Sequence, residues 1–137
     1  MLFISFSLLT CVNAYSYNVS TSIYYTECSG YQNNIHYTFK KGTVNARNCK
    51  AICGSDNDSS VTRKPSVYIE LKRRILIGGI GYKSFGEKKL GTIIEGKGWT
   101  NLKNTSWKTD EKNSSYYVVI YMTSSHVKKN FKCALKQ

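Results

Sequence analysis

The pattern of apolar and polar residues predicts several short β-strands. Ser66–Arg73 alternates, with Val67, Ile69 and Leu71 on one face and polar or aromatic residues on the other. Tyr116–Thr123 is almost continuously apolar and aromatic, which is typical of a central strand. The remaining strand predictions, which include an N-terminal hairpin, are Ser22–Cys28, Ile35–Lys41, Leu90–Ile94 and Asn130–Leu135.

One segment has a helical period. Ala46, Cys49 and Cys53 fall on one stripe of a short helix predicted over Thr43–Gly54. Gly96–Asn113 is polar and is predicted to be a long loop. One helix packed on a curved antiparallel sheet makes the predicted fold class α+β, as a single domain.

The N-terminus has the features of a secretory signal. Leu2–Cys11 is apolar, and Val12-Asn13-Ala14 supplies small residues for cleavage. We therefore expect residues 1–14 to be a signal peptide and residues 15–137 to form the secreted domain. The sequence contains no apolar run of 18 residues, so no transmembrane helix is predicted.

Secretion changes how the cysteines are interpreted. Removal of Cys11 leaves four, which in a small secreted chain indicate a disulfide framework. Three pairings are possible for Cys28, Cys49, Cys53 and Cys133. No metal or cofactor is predicted, because the chain contains neither a Cys-x-x-Cys pair nor a His pair of metal-ligand spacing. Four sequons are candidate glycosylation sites: Asn18, Asn57, Asn104 and Asn113.

The composition favours a polyanionic partner. The chain has 20 Lys and Arg against 8 Asp and Glu, a formal net charge of +12. Basic doublets recur among aromatic residues, a combination suited to loose RNA binding. The predicted RNA-binding residues are Lys40, Lys41, Lys72, Arg73, Arg74, Lys88 and Lys89.

The only candidate chemistry is RNA cleavage. That reaction needs an acid, a base and cations around the phosphate, and His36, Glu70 and Tyr68 are the candidate catalytic residues. Each has an ordinary structural alternative, since Glu70 can pair with Lys72 on a strand surface. No Gly-x-Ser-x-Gly or Walker motif is present.

The order of elements resembles a known family. Tyr24–Cys28 follows the signal, the predicted helix follows a hairpin, Tyr116–Met122 is a core strand, and Phe131–Cys133 lies near the end. This arrangement is similar to the RNase-like effectors secreted by powdery mildew fungi, which have the fold of fungal guanyl-specific ribonucleases. The resemblance implies a Cys28–Cys133 disulfide. It also implies action in the plant-cell cytoplasm on host RNA, ribosomes or a host protein, including an immune receptor.

The catalytic set of that family is incomplete in this chain. Apolar residues occupy the expected Arg position within Tyr116–Thr123, and His126 lies only seven residues before Cys133. We therefore expect a monomeric, non-catalytic RNase-like effector that binds its target. The alternatives are an active secreted ribonuclease or ribotoxin, and a β-sandwich immune modulator from a virus or animal parasite. A helix at Thr43–Gly54 separates the first two hypotheses from the third.

Overall fold

The computed structural model describes residues 15–24, 31–32, 35–55, 60–75, 81–111, 115–124 and 126–137. The regular elements within these ranges are all β-strands, so the α+β prediction is wrong. The strands are β1 Ser16–Ile23, β2 Tyr31–Gln32, β3 Gly42–Cys53, β4 Ser66–Ile75, β5 Gly81–Thr92, β6 Thr100–Asn101, β7 Thr105–Thr109, β8 Tyr116–Met122 and β9 Lys129–Lys136.

The strands form two antiparallel sheets. Sheet A has the order β1-β9-β3-β6, with β7 also pairing with β3, and sheet B has the order β2-β8-β4-β5. The inner faces of both sheets contribute to a single apolar cluster, because alternate residues of each strand point inward. Its largest fully buried members include Phe39, Ile69, Leu71, Leu90, Tyr116, Ile120, Phe131 and Leu135.

The segment predicted as a helix is the 12-residue strand β3. Its buried residues are Val44, Ala46, Cys49, Ala51 and Cys53. This is a period of two, broken once between Ala46 and Cys49 by a shift in the pairing with β9. One extra residue in a strand gives a spacing of three, which imitates a helical stripe when it is read from the sequence.

Other strand predictions are close to the structure. β4 and β8 lie where they were predicted, with β8 in the interior of sheet B. The predicted hairpin strand Ile35–Lys41 contributes only an isolated bridge between Tyr37 and Tyr116. The predicted loop Gly96–Asn113 contains β6 and β7, which complete sheet A.

One side of the molecule is closed by polar contacts between the sheets. The indole Nε1 of Trp107 in β7 donates a hydrogen bond of 2.9 Å to the Gly86 carbonyl of β5. Just beyond β7, Asp110 accepts hydrogen bonds of 2.9 and 3.0 Å from the guanidinium of Arg73, and one of 2.6 Å from Lys83. These bonds attach β7 and the residue that follows it to β4 and β5 of sheet B.

A candidate polyanion-binding face

The outer face of sheet A is shaped by a β-bulge. The β3–β9 register passes from Arg47↔Ala134 to Lys50↔Lys132, so that Asn48 and Cys49 both lie opposite Cys133. Asn48 has a φ of 55°, a left-handed conformation that Asn tolerates better than most residues. The bulge turns Cys49 inward, where it forms a disulfide with Cys133.

Two lysines and a tryptophan meet beside this bulge. Lys50 and Lys132 are cross-strand partners. Their Nζ atoms lie 5.6 and 5.0 Å from the ring centroid of Trp99, within cation–π range. The Trp99 side chain remains 44% exposed. An exposed aromatic ring between two cations is the combination that stacks a base while neutralising its phosphates.

The rest of this outer face is also basic. Its exposed cations are Arg47, Lys50, Lys108, Lys132 and Lys136, which we call the basic face together with Trp99. No strand of sheet A contains an Asp or Glu. None of the five cations takes part in an ion pair with a described carboxylate. The face therefore presents concentrated positive charge.

Three shallow depressions surround the bulge. Their volumes are about 370, 310 and 200 Å³. Each is lined by side chains able to donate hydrogen bonds as well as by a cation of the basic face. The first contains Asn18, Ser20, Asn48 and Lys132, the second Asn48, Lys50, Asn101 and Asn104, and the third Asn45, Arg47, Asn104 and Ser106.

The candidate catalytic residues lie on the other sheet. Tyr68 and Glu70 are on the outer face of sheet B, where Glu70 accepts hydrogen bonds from Tyr121 (2.8 Å) and Ser84 (2.5 Å). The Nζ atom of Lys72 lies 3.6 Å from Oε1 of Glu70 and forms an ion pair with it. This arrangement includes the Glu70–Lys72 pair that is the ordinary structural alternative for Glu70.

His36 lies on the same side of the molecule but is displaced from Glu70. Its ring contacts Tyr117 of β8 at 5.9 Å, edge to face. Tyr117 pairs with Lys72 of β4, so β8 separates His36 from the strand that carries Glu70. Two strand spacings place the two backbones about 10 Å apart, and the Glu70 carboxylate contacts Tyr121, Ser84 and Lys72. Burial raises the pKa of Tyr117 to about 12, so this phenol stays protonated at neutral pH.

Five of the seven predicted RNA-binding residues lie on β4 and β5 of sheet B, and Lys40 and Lys41 directly precede β3. Arg73 points inward and is bound to Asp110, and Lys72 is paired with Glu70. Lys40 lies 5.8 Å from the Tyr15 ring and Lys89 lies 6.0 Å from the Tyr68 ring. Lys41 and Arg74 are exposed, and Lys88 is half-buried in β5. The structure does not bring these seven residues onto one surface.

Sequence reasoning missed the basic face because its cations are isolated in the sequence. A search for basic doublets selects pairs of adjacent Lys or Arg residues, and adjacent residues of a strand point to opposite faces. In the doublet Lys128-Lys129 the first lysine is exposed. The second, Lys129, is fully buried and donates a hydrogen bond to the Ser124 carbonyl. Burial lowers the pKa of Lys129. The sequence signal for the basic face is single lysines at outward-facing strand positions, such as Lys132 and Lys136.

The disulfide and sequon predictions are resolved in part. Cys133 is bonded to Cys49, so the Cys28–Cys133 pairing is wrong, and Cys53 is a buried thiol. Cys28, Asn57 and Asn113 lie outside the described residues. Asn18 and Asn104 are exposed and line the depressions, so glycans there would cover the basic face.

Other kinds of site are not formed by the residues described. No group of three or more His, Cys, Asp or Glu side chains is placed to hold a metal ion within these ranges. Nor does the described part of the chain include a helix of the length and apolarity needed to cross a membrane.

Comparisons with known proteins give no relative. No family model matches the chain, and no curated protein or solved structure matches it significantly. The resemblance to the RNase-like effectors is therefore neither supported nor refuted by a match, while the fold expected from it is wrong.

Proposed function

We propose that this protein is a non-catalytic binding protein that takes up single-stranded RNA on its basic face. The observation that carries the proposal is the exposed Trp99 ring with the ammonium groups of Lys50 and Lys132 within 5.6 Å of its centroid. Proteins that bind single strands combine cations that follow the backbone with aromatic rings on which bases stack.

The extent of the face favours a polymer over a small anion. Arg47, Lys50 and Lys108 lie on β3 and β7, and Lys132 and Lys136 lie on β9, so the charge spans neighbouring strands of one sheet. Amide and hydroxyl groups of the depressions supply neutral donors between these cations. A sulfated polysaccharide would use the same cations, but it has no planar base to stack on Trp99.

The absence of catalysis is supported by the separation of the acid–base candidates. The Glu70 carboxylate accepts hydrogen bonds from Tyr121 and Ser84 and pairs with Lys72. His36 lies on the opposite side of β8 from Glu70. The strands of the basic face contain no His, Asp or Glu that could transfer a proton. RNA on this face would therefore be bound intact.

Secretion remains part of the proposal. The signal-like residues 1–14 and the Cys49–Cys133 disulfide support it, because disulfides persist mainly in oxidising compartments. The RNA would be that of a host cell or RNA released outside cells.

The test is binding of a fluorescent single-stranded RNA at physiological salt, in competition with duplex RNA and heparin. We expect Lys50→Gln with Lys132→Gln to weaken binding strongly. The matched control, Lys72→Gln with Lys89→Gln, removes the same charge from sheet B and leaves affinity nearly unchanged. Equal losses in both variants would reject the basic face. If the protein binds heparin but has no affinity for single-stranded RNA, the ligand of the basic face is a sulfated glycan and the RNA proposal is rejected.

A second candidate follows from the fold. Two sheets and no helix among the described residues favour the β-sandwich immune modulator over the RNase-like effector. Such a protein would bind a host protein through the outer face of sheet B, where Tyr82 is 53% exposed and contacts Tyr117. Binding to the surface of immune cells that survives Lys50→Gln with Lys132→Gln but is lost in Tyr82→Ser would favour this candidate. The reverse pattern would reject it.

A further inference from the structure

The first strand is an open edge of sheet A. β1 pairs with β9 along all eight of its residues, from Ser16↔Lys136 to Ile23↔Lys129, without a shift in register. Among the described strands, only β9 pairs with β1. The strand contains no charged residue, proline or glycine. One side of this regular strand is therefore available to a further strand.

One hydrogen bond assigns the backbone groups of the open side. The amide of Gln137 donates to the Tyr15 carbonyl at 3.0 Å, so the Tyr15 carbonyl points toward the β9 side. Direction alternates from residue to residue along an antiparallel strand. The N–H and C=O groups that point toward the open edge are therefore those of Ser16, Asn18, Ser20 and Ser22.

The outer face beside this edge is positively charged. Lys136 and Lys132 of β9 lie directly opposite Ser16 and Ser20 of β1, and all four side chains are exposed. Neither β1 nor β9 contains an Asp or Glu. Serine is small, so it leaves each lysine accessible from a strand added at the edge. The charge of this surface is complementary to that of an acidic strand.

A depression borders the same edge. It is the largest of the three depressions beside the bulge, at about 370 Å³, and its lining includes Asn18 and Ser20 of β1 together with Asn48 and Lys132. The amides and the hydroxyl supply neutral donors, and Lys132 supplies a charged one. A carboxylate only accepts hydrogen bonds, so this set of donors suits it.

The inward face of β1 includes a hydroxyl that lacks a partner. Thr21 is 6% exposed, and no described group forms a hydrogen bond with its Oγ1 atom. A buried hydroxyl without a partner is unfavourable. On a strand added antiparallel to β1, the side chain opposite Thr21 has its Cβ atom about 4.5–5.5 Å away. A Thr or Ser at that position can form the missing hydrogen bond.

We infer that β1 binds an extended acidic segment of another protein, which adds to sheet A as an antiparallel strand. In such strand addition, main-chain hydrogen bonds supply affinity and alternate side chains supply specificity. The outward residues of the segment are Asp or Glu, which reach Lys136 and the depression beside Lys132. Its inward residue opposite Thr21 carries a hydroxyl. A second copy of this chain is a poor partner, because each copy carries a formal charge of +12 and β1 has no carboxylate.

The edge site lies beyond the proposed RNA function and does not rest on it. The segment is held by a backbone ladder along β1, which RNA cannot form because it has no peptide groups. The probe is a fluorescent peptide of the same length as β1 in which Thr and Glu alternate. The control peptide has the same composition with all Thr before all Glu, so its charge is equal but its carboxylates do not share one face of a strand.

Anisotropy titrations with these peptides test the inference. We expect the alternating peptide to bind more tightly than the control. Residues opposite Ser16 and Ser20 exchange both hydrogen bonds with them, so the amides of the outward Glu residues face β1. N-methylation of those Glu amides should abolish binding. N-methylation of the Thr amides, which point away from β1, should leave binding nearly unchanged.

Variants of the protein separate the edge from the rest of the basic face. Lys136→Gln should weaken binding of the alternating peptide roughly 2- to 5-fold. Lys108→Gln, which removes the same charge from β7, should leave it unchanged. Ser20→Pro removes an edge N–H that β9 does not use, so it should abolish peptide binding while the circular dichroism spectrum of the fold is kept.

Hydrogen exchange on the unmodified protein gives a readout that does not depend on a variant folding. The alternating peptide should protect the amides of Asn18, Ser20 and Ser22 and leave those of Val19 and Thr21 as they were. Equal binding by the two peptides, or no added protection at these three amides, would overturn the inference. So would single-stranded RNA that protects them as fully as the peptide does. Peptide binding is measured without RNA, so failure of the RNA proposal leaves this result unaffected.

Discussion

Lys50 of β3 and Lys132 of β9 lie directly opposite each other, and both direct their ammonium groups toward the ring of Trp99. Like charges placed opposite each other in a sheet destabilise it. No described carboxylate pairs with either one. The indole compensates part of the repulsion, and a bound anion would compensate the rest. This relationship is the physical basis of the proposed RNA site.

Trp99 should contribute a stacking energy of its own. Base–aromatic stacking is worth about 1–3 kcal/mol, so Trp99→Ala should lower RNA affinity roughly 5- to 150-fold. Trp99→Phe, which keeps a ring, should retain much of the affinity. The chain has two tryptophans, and Trp107 is buried and bonded to Gly86. Fluorescence of a Trp107→Phe variant therefore reports on Trp99 alone, and emission unchanged by RNA would count against stacking.

Asn48 should tolerate glycine and resist branched residues. Its φ of 55° costs most L-residues roughly 1–2 kcal/mol. We expect Asn48→Gly to leave the free energy of unfolding nearly unchanged. Asn48→Val should lower it by about 1–2 kcal/mol, as measured by denaturant unfolding. Equal stability of the two variants would mean that the bulge is not needed at this position.

The Cys49–Cys133 bond should contribute strongly to stability. It joins positions 84 residues apart, a loop for which chain entropy gives about 4–5 kcal/mol. Cys49→Ser with Cys133→Ser should lower the free energy of unfolding by an amount of that order. Cys53→Ser, with the bond to Cys133 intact, is the comparison within the same strand. A loss of stability in Cys53→Ser with none in Cys49→Ser with Cys133→Ser would contradict the Cys49–Cys133 pairing.

Asp110 should make stability depend on acidic pH. Hydrogen bonds from Arg73 hold the pKa of Asp110 well below its ordinary value of 3.8. Because the folded-state pKa is depressed, its contribution is complete above the unfolded value and disappears as pH falls toward the folded one. Asp110→Asn should cost about 2 kcal/mol at neutral pH, with the difference from the original chain shrinking below pH 3.8. Glu111→Gln, at a side chain 58% exposed, should change little.

The sequence predicts the strands with regular alternation and misplaces those without it. Val67, Ile69 and Leu71 point inward as expected, because β4 keeps an uninterrupted period of two through this segment. β3 was mistaken for a helix because a bulge is specified by pairing with β9, which leaves no local signal at Asn48. The basic face was missed for a similar reason. Which single lysines share a surface is decided by β3, β7 and β9 lying side by side, far apart in sequence.

The salt dependence of RNA affinity tests the central claim most directly. For single strands the slope of log affinity against log salt falls by about 0.7 for each phosphate contact removed. Lys50→Gln with Lys132→Gln should therefore make the slope shallower by about 1.4, while Lys72→Gln with Lys89→Gln leaves it unchanged. A slope altered only by the second pair would show that RNA binds elsewhere, and a slope altered by neither would show that the basic face does not bind it.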